Sequence, residues 1–117
     1  MSETAVVQIC PNEKVLHLVV CKRALDDPST RALVDEVNEA AAARTGVPIV
    51  LDLGRVKFAP SVALGALVRM SKGFTLDGRR LVLIGIDDRV LDAIHVTQLH
   101  TVLEIRNTLD EVTAAMA

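Results

Sequence analysis

Ser61 is the residue in this sequence best placed to do chemistry. It follows Pro60, and a proline biases the residue before it, here Ala59, towards an extended backbone, which delays any helix past that point. Ser61 then serves as the helix N-cap, its hydroxyl accepting from the amide of Ala63 or Leu64. The same hydroxyl is also a candidate phosphate acceptor. A phosphoserine brings ~2 negative charges to the positive end of a helix, where they are stabilised. It would also change the sign of a nearly neutral apolar surface, which suits a binding switch. By residue type alone, the plain cap is the commoner role.

Few other groups compete with it. Asp26 and Asp27, the stretch Asp52–Ser61, and Asp87-Asp88 each follow an apolar, strand-like run. The carboxyl ends of strands are where α/β sheets carry their sites. Carboxylates there are more often loop hydrogen-bonders or helix caps. Gly54 stands alone, so no glycine-rich phosphate loop follows a strand. No nucleophile elbow and no Ser/His/Asp or Cys/His set is present, which leaves an enzyme without a catalytic group and calls for no cofactor. His17 lies in a strand pattern, and His95 and His100 lie around a turn with no Cys or Glu at ligand spacing, so no metal site is expected. Cys10 and Cys21 fall at opposite ends of a hairpin, roughly 20 Å apart at about 3.3 Å per residue, and both are expected to be reduced thiols.

The composition narrows the classes further. The chain has 117 residues, 50% of them hydrophobic and 24% charged, which is enough for one packed domain and too apolar for a disordered tail. Phe58 and Phe74 are the only aromatic residues of the Phe, Tyr and Trp types, so the core must be aliphatic, and stacking on bases, sugars or flat ligands is disfavoured. The net charge of −2 with no basic stripe argues against nucleic acid; Lys22-Arg23 and Arg79-Arg80 read as solvated surface. The N-terminus shows no secretory pattern and no apolar run approaches the ~20 residues of a membrane span, so a cytoplasmic protein is expected.

The elements that must position these residues alternate along the chain. Val6–Cys10 and Val15–Val20 form a hairpin around Pro11-Asn12-Glu13-Lys14, with the second strand central and the first antiparallel at an edge. Asp27 caps a helix that has Pro28 at its first position, Leu33, Val37, Ala40, Ala41 and Arg44 on one face, and Asp35, Glu36 and Glu39 on the other. Gly46 and Pro48 end it. Strand 49–53, loop 54–60 and a helix over 61–72 closed by Gly73 follow. Next come strand 81–86, a short helix capped by Asp87 with Val90, Leu91 and Ile94 inward, and strand 101–105. The last helix opens on a capping box, Thr108 with Glu111, and buries Leu109, Val112 and Met116. The order ββαβαβαβα predicts a single α/β domain over residues 1–117 with a mixed, largely parallel central sheet and helices packed against it.

With these elements in place, the stretch Ile49–Val68, IVLDLGRVKFAPSVALGALV, resembles the central motif of STAS domains, the sulphate-transporter and anti-sigma-factor-antagonist family. Asp52 matches the Asp that ends the family's strand, Phe58 its Phe, Ser61 the serine phosphorylated in antagonist proteins, and Leu64-Gly65 the Leu-Gly of the helix. Leu81–Ile86, Val96–Leu99 and Val102–Ile105 resemble the later strand, turn and final strand, so the resemblance runs over about residues 15–115. Pro60 stands where the motif has Asp, Ala63 where it has Gly, and Gln98 where a Gly follows Thr97. The Pro60 departure removes a charge and a hydrogen-bonding group beside the acceptor serine.

The resemblance implies a regulatory protein–protein interaction domain like an anti-sigma factor antagonist, with no catalytic residue and no cofactor of its own. It would bind a serine kinase/anti-sigma factor and release a sigma factor. Phosphorylation of Ser61 would end the interaction, and a phosphatase would reset it. The contact surface would be helix 61–72 with loops 54–60 and 24–27, carried by Asp26, Asp52, Phe58, Pro60, Ser61, Leu64, Gly65 and Val68. The alternative is an unphosphorylated STAS scaffold, in a stressosome-like assembly or beside a transport ATPase, which Pro60 and Ala63 favour. A small-ligand or nucleotide-binding domain rests only on Asp26 and Asp52. A homo-oligomer or larger assembly is left open.

Overall fold

The computed structural model describes residues 5–115. It holds one five-stranded sheet in the order β1-β2-β3-β4-β5, formed by Val7–Cys10, Leu16–Val20, Ile49–Asp52, Leu81–Ile84 and Glu104–Arg106. β1 pairs antiparallel with β2, and every later pair is parallel. The helices are α1, Asp27–Ala43; α2, Ser61–Leu76; α3, Asp88–Val96; and α4, Leu109–Ala114, with a 3-10 turn at Leu99–Thr101. The mixed sheet and the edge position of β1 are as the alternating pattern implies. β2 is paired on both sides, but the middle strand is β3.

Strand periodicity sorts the core into two layers. Leu18, Leu51 and Leu83 point to the face covered by α1, α2 and α3, where they meet Leu33, Leu67 and Ile94. Val50, Val82 and Ile84 point to the opposite face and pack with Val15 and with Val112 of α4. Each fully buried aliphatic side chain contributes about 1.5–3 kcal/mol, so the three-helix face holds most of the stabilisation. Of the residues expected to anchor α4, Val112 is buried and Leu109 packs partly, while Met116 lies outside the described residues.

Several boundaries differ from the sequence expectation. α1 is capped by Asp26 rather than Asp27: its carboxylate accepts from Ser29 N at 2.9 Å, one residue ahead of the expected cap, because Asp26 takes the extended backbone that a cap requires. Glu36, expected on the solvent face, accepts from the amides of Val6 and Val7 at 2.8–3.1 Å and ties the start of β1 to α1. α2 runs through Gly73 to Leu76, because Phe74 continues the buried face of Leu67 and Met70. The stop comes at Gly78, which adopts φ +77: Gly78 N donates to Thr75 O at 3.0 Å and Arg79 N to Phe74 O at 2.8 Å. β4 ends at Ile84, because Gly85 turns into the left-handed region at φ +65. β5 is shorter than expected and begins at Glu104, because Thr101 and Val102 belong to the 3-10 turn entered through Gln98 at φ 60.

Arg79 is a structural residue, not solvated surface. Its guanidinium donates to the carbonyls of Ala41, Arg44 and Val47 and so holds the end of α1 and the run into β3. Arg44 does the same nearby, donating to Val15 O and Glu13 O, both at 2.8 Å. Arg80 pairs with Glu104 across β4 and β5. The hairpin turn is set by Asn12, whose Oδ1 accepts from Lys14 N and Val15 N at 2.8 and 3.1 Å.

Candidate functional site

Parallel strands bring the loops after β2, β3 and β4 together at one end of the sheet. The first two are stitched into a short parallel bridge, Ala24 beside Phe58. Lys57 N donates to Arg23 O at 2.7 Å, and Leu25 N donates to Phe58 O at 3.0 Å. This bridge continues the β2–β3 pairing past the sheet and holds Phe58 with its ring outward, 63% exposed.

Asp52 braces the same loop from inside. Its Oδ1 accepts from Gly54 N at 2.8 Å. A Cβ at Gly54 or at Gly85 would lie 3.1 Å from that oxygen, so a side chain at either glycine would press on the carboxylate. Lys57 Nζ donates to Gly54 O at 2.9 Å and to Asp87 Oδ2 at 3.1 Å, joining the β3 loop to the cap of α3. Asp87 Oδ1 accepts from Arg89 N at 3.0 Å, which is the cap expected from the sequence. The Lys57 hydrogen bond, with that of the Arg89 amide, holds the Asp87 carboxyl below the usual carboxylate range. Asp26 is also held low, by hydrogen bonds from the Ser29 amide and hydroxyl and by the charge of Lys22.

Ser61 follows this loop as the first residue of α2 and is exposed. The cap position belongs to Pro60, with φ −68 and ψ 170, and no side chain caps the helix. Leu64 N donates to Pro60 O at 3.1 Å, so the ladder opens from the proline carbonyl. The expected capping role of Ser61 is therefore not adopted. A proline at the cap fixes the needed φ but supplies no acceptor, and the serine is carried one step into the first turn.

The surface around Ser61 is apolar and uneven. Val62 stands 56% exposed beside it. Asp26 and Phe58 are exposed, whereas Pro60, Gly65 and Val68 are half-buried and Leu64 belongs to the core. The residues expected to make contacts thus divide into an outward set, Asp26, Phe58 and Ser61, and an inward set that supports it. Two cavities reach the residues on either side of Pro60 and Ser61, Val62 in one and Ala59 in the other. One, of about 700 Å³, runs between α1 and α2 and includes Val62, Met70 and Phe74. The other, of about 560 Å³, lies beneath Phe58 against α3 and has Arg23, Lys57 and Arg89 at its mouth. Sequence reasoning missed Val62 and these three cations. The cations are some 30 residues apart, and only the convergence of loops at the sheet's carboxyl end could have signalled their grouping.

Elsewhere, the thiols of Cys10 and Cys21 are free, with Cys10 opposite His17 in the ladder and Cys21 beyond its other end. The rings of His95 and His100 lie 4.5 Å apart, centroid to centroid. Among the described residues, no cluster of three or more His, Cys, Asp and Glu is placed to hold a metal. No helix of the described residues is long and apolar enough to cross a membrane.

Residues 10–112 match the STAS domain family model. The chain belongs to the STAS domain family. Its STAS domain is 31% identical over 85 residues to the anti-sigma-B factor antagonist of Listeria monocytogenes, covering 73% of this chain and 75% of that one. Among solved structures, an anti-sigma-factor antagonist (STAS) domain protein from Planctomyces limnophilus superposes with a TM-score of 0.79 at 19% identity, over 95% of this chain and 97% of that chain. The anti-sigma factor antagonist SpoIIAA in its unphosphorylated form gives 0.73 at 14% identity, over 94% and 95%. At such identities the two structures speak for the fold, including the mixed sheet and edge hairpin of this STAS domain.

Proposed function

We propose that this STAS domain is an anti-sigma factor antagonist that docks a serine kinase/anti-sigma factor on the face around Ser61 and is switched by phosphorylation there. The observation that carries the reading is the state of Ser61 itself. It is exposed in the first turn of α2, does not serve as the helix cap, and sits between exposed Phe58 and Val62. The γ-phosphoryl of ATP would transfer to the Ser61 oxygen, with ADP leaving and the hydroxyl proton passing to the kinase. The resulting charge would be favoured by the helix N-terminus and opposed to an apolar partner surface. A phosphatase would restore the hydroxyl. The sequence relatives named as antagonists support the same reading.

Incubation with the serine kinase/anti-sigma factor of the same organism and ATP tests it. The wild type should gain the mass of one phosphate and then release the partner, and Ser61→Ala should gain none. No gain on wild type, or an equal gain on Ser61→Ala, defeats the switch. One observation favours a second reading, an unphosphorylated scaffold: Pro60 leaves no charge or donor beside the acceptor. In that case partner binding survives Ser61→Asp unchanged.

A further inference from the structure

We infer that the cavity beneath Phe58 receives an acidic segment of the partner protein, with carboxylates at Arg23, Lys57 and Arg89 and an apolar side chain against Phe58 and Val90. The inference rests on the reading of the Ser61 face as a protein-docking surface and adds the chemistry of what docks there. The cavity has about 560 Å³, walled by the apolar residues Ala24, Phe58, Ala59, Val90 and Ala93. That is room for a side chain and its flanking backbone, and Ser61 begins three residues beyond Phe58.

Charge selects the occupant. Among the described residues, Asp87 is the only carboxylate within 4.0 Å of any of the three cations, at 3.1 Å from Lys57 and 3.7 Å from Arg89. Three cations and no carboxylate line the cavity itself, on a chain whose total is −2. The Arg89 side chain is 75% exposed, and Arg23 is exposed with no carboxylate beside it. Arg89 also stands in the first turn of α3, at the positive end of that helix, where a cation is disfavoured. The α3 N-terminus is already served by Asp87 and Asp88, so an incoming carboxylate would pair with the exposed guanidinium of Arg89. The neighbouring α1–α2 cavity lacks this bias, because Arg31 and Arg69 there are matched by Asp27, Asp35 and Asp77. Three cations around one opening do not form the extended basic stripe that a nucleic acid backbone needs.

A Glu-Glu-Leu-Glu-Glu peptide added to the full chain, with backbone amide shifts as the readout, tests the pocket without the partner. Shifts should concentrate at residues 23–24, 57–59 and 89–93. They should vanish in the Arg23→Glu/Arg89→Glu double variant and weaken severalfold between low and physiological salt, by roughly the loss that screening imposes on exposed charges. Equal binding of a Lys-Lys-Leu-Lys-Lys peptide, tighter binding of a single-stranded oligonucleotide, or shifts in the α1–α2 cavity overturn the inference. With the kinase/anti-sigma factor, the same double variant should bind at least about tenfold more weakly, while Arg31→Glu stays within about twofold. If wild type binds that partner and the double variant binds equally well, the pocket is wrong and the reading of the Ser61 face stands. If wild type binds no such partner, that reading fails and the peptide result alone decides the pocket.

Discussion

The arginines at the two ends of the sheet have opposite roles. At the amino end, Arg79 spends its donors on carbonyls of α1 and the loop after it, and Arg44 on Glu13 O and Val15 O of the hairpin. At the carboxyl end, Arg23 has no carboxylate beside it among the described residues, and Arg89 reaches Asp87 only at 3.7 Å. Arg23 and Arg79 read alike in the sequence, each as solvated surface. A guanidinium that has replaced water with carbonyls is part of the fold, and one still facing water is available to a partner. The site end of this domain is thus the end whose arginines contribute least to its stability, Lys57 being the cation that braces it.

Arg79→Ala strikes the first group and should have the largest effect. It removes the charged donor that three carbonyls share, which should cost about 2–4 kcal/mol in urea unfolding. Arg89→Ala should cost under about 0.5 kcal/mol, as exposed ion pairs do. Equal losses would erase the contrast between the two ends. Gly85→Ala comes next. It places a Cβ 3.1 Å from Asp52 Oδ1 at a φ of +65, and it should cost about 2 kcal/mol. Adding Asp52→Ala should recover the part due to the contact and leave the part due to the backbone, so the double-mutant cycle should show coupling.

The two ends were also unequally legible in the sequence. The apolar runs, the Asp87 cap and the Thr108 cap are local patterns, and the structure keeps them, with Glu111 reaching back to Asn107 N rather than to Thr108 N as a strict box would. Ser61 was legible as the residue that opens α2, because Pro60 marks the place. Its step from cap to first turn was not, since either residue satisfies the backbone and the choice depends on how loop 54–60 is anchored by Asp52 and Lys57. The end of α2 was misplaced because a glycine in a helix and a glycine that stops one look alike. What distinguishes Gly73 from Gly78 is Phe74, whose burial extends the helix. The basic mouth was invisible, because Arg23, Lys57 and Arg89 meet only after two parallel crossovers.

Acid should act on the carboxyl end through Asp87. Its folded pKa is depressed, chiefly by the Lys57 hydrogen bond, so its contribution is present above the unfolded value of about 3.9 and is lost as pH falls through the lower folded value. Urea midpoints of wild type and Asp87→Asn should therefore differ at neutral pH and converge once the pH is taken well below about 4. A gap that persists through that window would mean that Asp87 acts by shape rather than by charge.

The smallest effect is the most informative about Ser61. Thr108 is a true cap, its hydroxyl accepting from Glu111 N at 3.3 Å, and Thr108→Ala should lose about 1 kcal/mol. Ser61 does not cap α2, so Ser61→Ala should stay within about 0.5 kcal/mol of wild type. Ser61→Asp should gain about 0.3–1 kcal/mol at low salt, because a carboxylate in the first turn meets the helix N-terminus, and the gain should fade as salt is added. A loss near that of Thr108→Ala would return the hydroxyl to the capping role, and phosphorylation would then have to break a structural bond before it could add a charge. With no such loss, a phosphate at Ser61 leaves the fold intact and changes only what the partner meets.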